Sequence, residues 1–220
     1  MKKIRALAAP ALLVVIGLWA AHPGFQAARA ASDRPASGEG QQATAAYFKQ
    51  QEKCGELLVA HRFVDAEQTC NELIDLTDKL PSSYQNERRV AYQLSGHAFF
   101  YERKFVDALG MYRREFAVAQ GYLKPYDAEL GDAYYDVAQG LHQTNNFPEA
   151  KLNYERAEST YELARERNLS ASLQIDLTTR MKSVLRVYAL LLRQMGDKSG
   201  ADAAEKKERS LELNPAHPRQ

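Results

Sequence analysis

One short pattern returns three times along the chain at an interval of 42 residues. The copies read RFVDAEQTC, KFVDALGMY and NFPEAKLNY, and their aromatic residues are Phe63, Phe105 and Phe147. In each copy an alanine follows three positions after the aromatic residue, and a cysteine or tyrosine follows four positions later. A sequence period between about 20 and 50 residues indicates a stack of similar units, each of which is one supersecondary element.

Each unit has the pattern of two helices. Upstream of each copy lies a small residue (Cys54, Gly96 or Ala138), and an apolar residue follows it three positions later. Apolar residues three and four positions apart predict helices. A short polar turn comes next, and a second helix is predicted from near Val64, Val106 or Pro148. Period-two alternation is absent from 43–214, so the sequence predicts an all-α fold in which antiparallel hairpins bury their faces by stacking.

This pattern resembles the tetratricopeptide repeat (TPR). That family has a small-x-x-large pattern on its first helix and aromatic-x-x-Ala-x-x-x-aromatic on its second, as in "SGHAF…KFVDALGMY" and "VAQGL…NFPEAKLNY" here. The usual family period is 34 residues, and the longer period is similar to the variety found in kinesin light chains. The resemblance is clear over about residues 45–167. It implies a right-handed superhelical stack of about four hairpins over 43–215, with 216–220 as a tail.

The fourth unit is degenerate. Residues 172–195 predict a long amphipathic helix, and a Lys/Glu-rich segment, EKKERSLE, follows Gly196 and Asp197. The alanine that corresponds to Ala150 is Ala201 or Ala203, so the register stays open by two residues. A polar final helix is typical of the solubilising cap at the end of a repeat stack.

The amino-terminal segment has the layout of a secretory signal peptide. A basic start precedes an uncharged run over 6–21, and Ala28 and Ala30 form an A-x-A site, which predicts cleavage after Ala30. The rival interpretation is a retained membrane anchor, but the run is shorter than the ~20 residues that a spanning helix needs. Residues 31–42, ASDRPASGEGQQ, predict a flexible linker. We therefore expect a periplasmic or secreted protein without an integral membrane segment.

Charge gives no reason to expect nucleic acid as a partner. The whole chain has a formal net charge of +1. Residues 1–30 contain four basic residues and no acidic ones, so the remaining chain has a small net negative charge. A weakly acidic protein without a basic block has no electrostatic attraction for nucleic acid or anionic membranes.

Cys54 and Cys70 are the only cysteines in the chain. In an antiparallel hairpin Leu57 is predicted to pair with Ala66, one helical turn closer to the loop than the cysteines. Cys54 and Cys70 therefore fall in nearly the same layer. In an oxidising compartment this arrangement predicts a disulfide, and two buried free thiols are the alternative. A metal site or a redox pair is disfavoured, because the chain has neither grouped Cys ligands nor a C-x-x-C motif.

No catalytic or metal-binding motif stands out. The histidines lack the H-E-x-x-H spacing, and the G-x-S-x-G and phosphate-binding glycine motifs do not occur. We therefore predict no enzyme, no cofactor and no metal ligands.

The TPR resemblance also implies a concave groove that the first helices line. Tyrosine and histidine in such a groove suit peptide binding, which predicts an exported adaptor or assembly factor with a protein or peptide partner. A self-associating envelope protein and a small-molecule-binding or enzymatic helical protein are the alternatives. The groove-facing candidates are Gln93, His97, Tyr101, Tyr135, Gln139 and His142.

Overall fold

The computed structural model describes residues 38–167 and 170–211, and in that part of the chain it contains eight α-helices and no strand. The predicted all-α fold of four antiparallel hairpins is confirmed. In chain order the helices are α1 (Gly38–Val59), α2 (Phe63–Thr77), α3 (Gln85–Tyr101), α4 (Phe105–Tyr122), α5 (Ala128–Gln143), α6 (Phe147–Arg167), α7 (Ala171–Gln194) and α8 (Lys198–Ser210).

The hairpins form two layers. Each first helix (α1, α3, α5 or α7) packs against the second helix of its own hairpin, and α3, α5 and α7 also pack against the second helix that precedes them. Neighbouring first helices also contact each other, whereas the second helices approach one another less closely. The layer of first helices is therefore the inner side of a curved stack, and the layer of second helices is the outer side.

All four hairpins turn in the same way. One residue in each turn has a positive φ: His61 (57°), Arg103 (65°), Asn145 (62°) and Gly196 (84°). The next amide donates to a carbonyl five residues earlier, as from Arg62 to Leu57 at 2.9 Å. This hydrogen bond caps the carboxyl end of the first helix, and the residue before its donor has a left-handed conformation. Glycine is preferred at such a position because it has no Cβ to clash.

These turns settle the register of the fourth unit. Gly196 lies 51 residues after Asn145, so Ala201 corresponds to Ala150. Ala201 is fully buried, whereas Ala203 is exposed. The extra length lies mainly in longer helices away from the turn, since α7 has 24 residues and α5 has 16.

Several predicted boundaries shift. The second helices of the first three hairpins begin at the aromatic residues Phe63, Phe105 and Phe147, each one residue before the predicted start. Residues 38–42, predicted as linker, belong to α1, where the Thr44 hydroxyl donates to the Gly40 carbonyl at 2.9 Å. The predicted signal peptide (1–30), the rest of the linker (31–37) and residues 212–220 lie outside the described residues.

The hairpin core has one recurring layer, in which a small residue of the first helix faces a large residue of the second. In the first hairpin Cys54 and Cys70 fill this layer as a disulfide with a Cα–Cα distance of 5.2 Å. In the second hairpin Gly96 lies against the ring of the fully buried Tyr112, where an added Cβ would overlap the ring. Tyr154 is also fully buried, whereas Tyr92 and Tyr134 on the first helices α3 and α5 are only partly buried.

Candidate binding face

The six predicted groove residues all lie on α3 and α5, in the inner layer, but three of them are buried. Gln93 is 3% exposed, and Tyr135 and His142 are each 7% exposed. Only His97, Tyr101 and Gln139 are partly accessible. The burial arises because neighbouring first helices are close enough to cover each other's inner side chains.

Asp136 of α5 holds two of these residues in place. Its Oδ2 accepts a hydrogen bond from Gln93 Nε2 at 3.0 Å, and its Oδ1 lies 3.3 Å from His97 Nε2. Asp136 itself is 3% exposed. The side-chain amide of Gln93 therefore forms a contact between α3 and α5. The imidazole of His97 contacts the same carboxylate and remains partly accessible to solvent.

A buried ion pair lies beside this contact. Arg89 Nη1 is 3.3 Å from Glu115 Oε1, and the same nitrogen is 3.3 Å from Gln93 Oε1. Burial, together with the neighbouring carboxylate of Asp136, raises the pKa of Glu115, although Arg89 opposes this. Burial and the nearby Asp136 carboxylate thus favour the protonated form of Glu115.

A second set of bridges joins α5 to α7. Arg180 pairs with Asp132, which also accepts a hydrogen bond from the Tyr161 hydroxyl at 2.6 Å. His142 Nε2 lies 3.1 Å from Gln194 Oε1, and its Nδ1 lies 3.3 Å from the Tyr154 hydroxyl. Burial lowers the pKa of His142, with the hydrogen bond to Gln194 acting in the opposite direction. Polar side chains therefore fasten neighbouring first helices together along the inner layer.

The accessible part of the inner layer follows from the register of the four turns. The residues that correspond to His97 and Tyr101 in every hairpin form two rows, which we call the inner strip. Val59 and Leu190, at opposite ends, are 46% and 48% exposed. The first row is Gly55, His97, Gln139 and Leu190, and the second is Val59, Tyr101, Gln143 and Gln194.

The strip has a rigid floor near its middle. Tyr101 stacks on Phe63 with ring centroids 5.0 Å apart, and His97 packs edge-on against Tyr112 at 5.7 Å. By contrast, the side chains of Gln139 and Gln143 form no hydrogen bond within 38–167 and 170–211. Fixed aromatic rings thus lie next to amides that have hydrogen-bonding capacity to spare.

Five members of the strip were missed by sequence reasoning: Gly55, Val59, Gln143, Leu190 and Gln194. The same interval that relates the repeats would have found Val59 and Gln143 from Tyr101. Leu190 and Gln194 needed the 51-residue step, which only the position of Gly196 reveals.

The described residues contain neither a cluster suited to a metal ion nor a helix suited to a membrane. No group of three or more His, Cys, Asp or Glu side chains in 38–167 and 170–211 is arranged to hold a metal ion. Within the same residues, none of the helices combines the length and the apolar character needed to cross a membrane.

Comparison with known proteins gives a likeness of fold. No protein-family model matches the chain, and no curated protein matches it by sequence. Among solved structures, the crystal structure of BtubC (BKLC) from P. vanneervenii is similar, with a TM-score of 0.66. The identity is 13%, over 93% of this chain and 77% of that one. At this identity the likeness concerns the helical architecture alone.

Proposed function

We propose that this protein is an exported interaction module of the TPR type, an adaptor or assembly factor that binds a protein or peptide on its inner strip. The observation that carries the proposal is the strip itself. It crosses all four hairpins and exposes aliphatic and amide side chains over a floor of packed aromatic rings. A continuous row of this kind offers contact area and hydrogen bonds to a segment of polypeptide laid across the hairpins.

The rigidity of the floor supports a binding role. His97 is held by Asp136, and Gln194 is held by His142. Side chains fixed before a partner arrives lose little conformational freedom on binding, so more of the contact energy appears as affinity. Tyr101 adds a ring that is both apolar and capable of a hydrogen bond.

The assignment to the TPR type is supported by a sequence feature and a structural feature. The sequence carries the small-x-x-large and aromatic-x-x-Ala patterns in three units, and the structure places them in hairpins that share one turn geometry. The likeness in fold to BtubC is consistent with a curved helical stack of this kind.

Export is part of the proposal. A disulfide between Cys54 and Cys70 fits a protein that matures in an oxidising compartment, because cytosolic thiols are generally kept reduced. The basic and apolar start of the chain, with Ala28 and Ala30 before the expected cleavage site, supplies the matching signal.

The proposal is tested by capture of partners from the cell-envelope fraction with two variants of the protein. Gln143→Ala/Leu190→Ala changes two exposed residues of the inner strip. Gln68→Ala/Leu152→Ala is the matched control, since Gln68 and Leu152 are exposed on the outer helices α2 and α6. We expect partners that the first variant loses and the control retains. Partners that both variants retain, or no partner at all, would contradict a binding role for the strip.

A further inference from the structure

We infer that the partner of the inner strip is an uncharged, extended segment of polypeptide with an aliphatic side chain near each end. This inference rests on the proposed function and specifies its ligand. It follows from the absence of charge along the strip, from the amides in its third and fourth hairpins and from the aliphatic residue that lies at each end.

The strip contains no Asp, Glu, Lys or Arg, although these residues make up 26% of the chain. Arg186, one helical turn before Leu190, is already paired with Glu208, and Asp136 beneath His97 is engaged by Gln93 and His97. An ionised side chain of a partner would lose hydration here without gaining an opposite charge, which is unfavourable. The surface therefore selects a neutral segment.

Three glutamines point to recognition of backbone groups. Gln139, Gln143 and Gln194 belong to neighbouring helices, and the first two have unused donors and acceptors within the described residues. The Oε1 atom of Gln194 is engaged by His142, which leaves its amide nitrogen as a donor. A primary amide matches the N–H and C=O groups of an extended chain, whereas a helix uses those groups internally.

The ends of the strip are aliphatic. Val59 lies next to Tyr101 in the second row at one end, and Leu190 lies in the first row at the other. Both are close to half exposed. Burying such side chains against an aliphatic partner residue is favourable by about 25 cal/mol per Å² of apolar surface removed from water.

The distance between the ends sets the length of the segment. From α1 to α7 there are three steps between neighbouring helices, each about 8–10 Å. An extended chain advances about 3.3 Å per residue. The strip therefore accommodates about eight residues, with the two aliphatic side chains about six to eight positions apart.

The test is selection of displayed random ten-residue peptides on the protein, followed by affinity measurements with a synthetic copy of the most enriched peptide. We expect neutral sequences with two separated aliphatic residues. Their affinity should change less than about twofold between about 50 mM and about 500 mM NaCl, because no ion pair is screened. Leu190→Ala should weaken binding about tenfold, which corresponds to about 1.4 kcal/mol, and Leu152→Ala should leave it unchanged.

A charge-introducing variant makes the test sharper. Gln143→Lys should weaken the neutral peptide and strengthen a copy that carries one Glu, and the binding of that copy should become salt-dependent. If the enriched peptides are charged, bind in a salt-dependent way and still require Leu190, the inference is overturned while the proposed function stands. Enriched peptides that bind as helices would overturn it likewise. If no peptide is enriched relative to Gln143→Ala/Leu190→Ala, the proposed function also fails.

Discussion

Among the hairpins of 38–167 and 170–211, the first and the last each have a neighbouring hairpin on one side only, yet they are stabilised by different chemistry. In the first hairpin, the fully buried Cys54 and Cys70 form a disulfide between the two helices. In the last, Arg193 of α7 binds Asp202 and Glu205 of α8 at 3.0 and 2.8 Å. These ion pairs are solvent-exposed, so the two helices are joined covalently in the first hairpin and by surface ion pairs beside the apolar core in the last.

The hairpins differ in the recurring core layer where a small residue of the first helix faces a residue of the second helix. The positions of Cys54 and Cys70 correspond to Gly96 and Tyr112 in the second hairpin, and to Ala138 and Tyr154 in the third. In the last hairpin they correspond to Ala189 and Glu205. Hairpins with two neighbours can bury a tyrosine in this layer, whereas the terminal hairpins do not. The disulfide acts independently of salt, while exposed ion pairs contribute little and are screened.

The largest effect should come from removing the disulfide. It closes a loop with a sequence separation of 16 residues, so reduction should lower the free energy of unfolding by about 3 kcal/mol. Urea unfolding with and without a reductant measures this. A Cys54→Ala/Cys70→Ala variant is the control and should not respond to the reductant. An unchanged midpoint on reduction of the natural protein would show that the first hairpin does not depend on its crosslink.

Next in size is the effect of overfilling the same layer in the second hairpin. In Gly96→Ala the new Cβ overlaps the ring of Tyr112, which is fully buried. We expect a loss of about 2 kcal/mol in thermal or urea unfolding. Gly110→Ala on α4 is the matched control. A Cβ there meets nothing within 4 Å, so the substitution should stabilise the helix by about 0.5–1 kcal/mol. Equal effects at the two glycines would refute the close Gly96–Tyr112 contact.

A smaller effect is expected at the last hairpin. Arg193→Ala removes both ion pairs to α8, and because they are exposed the loss should be under about 1 kcal/mol. Hydrogen exchange of the α8 amides should report it. The effects of Arg193→Ala and Glu205→Ala on stability should be non-additive in the double variant. In the natural protein, about 1 M NaCl should reproduce much of the effect of Arg193→Ala. Additive substitutions would mean that this pair does not hold the cap.

The smallest effect should be a pH dependence in the third hairpin. Burial lowers the pKa of His142, so the unfolded chain binds a proton more readily than the folded protein does. The stability contributed by neutral His142 is complete above its ordinary pKa of about 6.5 and falls as the pH decreases below it. The difference in unfolding free energy between the natural protein and His142→Gln should therefore shift between about pH 7.5 and about pH 5. A constant difference would contradict the buried, neutral state.

The sequence predicts the hairpins well because their determinants are local and repeated. The aromatic-x-x-Ala frame defines each second helix in three units, and the cysteine pair lies within one hairpin. The fourth unit has Lys198 where the others have phenylalanine, so the frame alone leaves its register open. Gly196, which adopts the same left-handed conformation as Asn145, is the local signal that resolves it.

The burial of the inner layer could not be predicted in the same way. It depends on how closely neighbouring first helices approach, which is a property of the stack rather than of one unit. The Arg89–Glu115 pair and the Gln93–Asp136 hydrogen bond each join residues that occur once and do not repeat. No periodic signal marks them, and their partners become neighbours only when α3, α4 and α5 pack together.

The crosslink in the first hairpin also limits how far the chain can be stretched. If the protein is pulled from its two ends, unfolding cannot extend the segment between Cys54 and Cys70, because the force passes across the sulfur bridge. At about 3.3–3.6 Å per residue, this segment would add about 50 Å of contour length after reduction. Single-molecule extension under oxidising and reducing conditions should differ by that increment. Under load, the first hairpin therefore behaves as a closed ring, while the other three hairpins unravel as open chain.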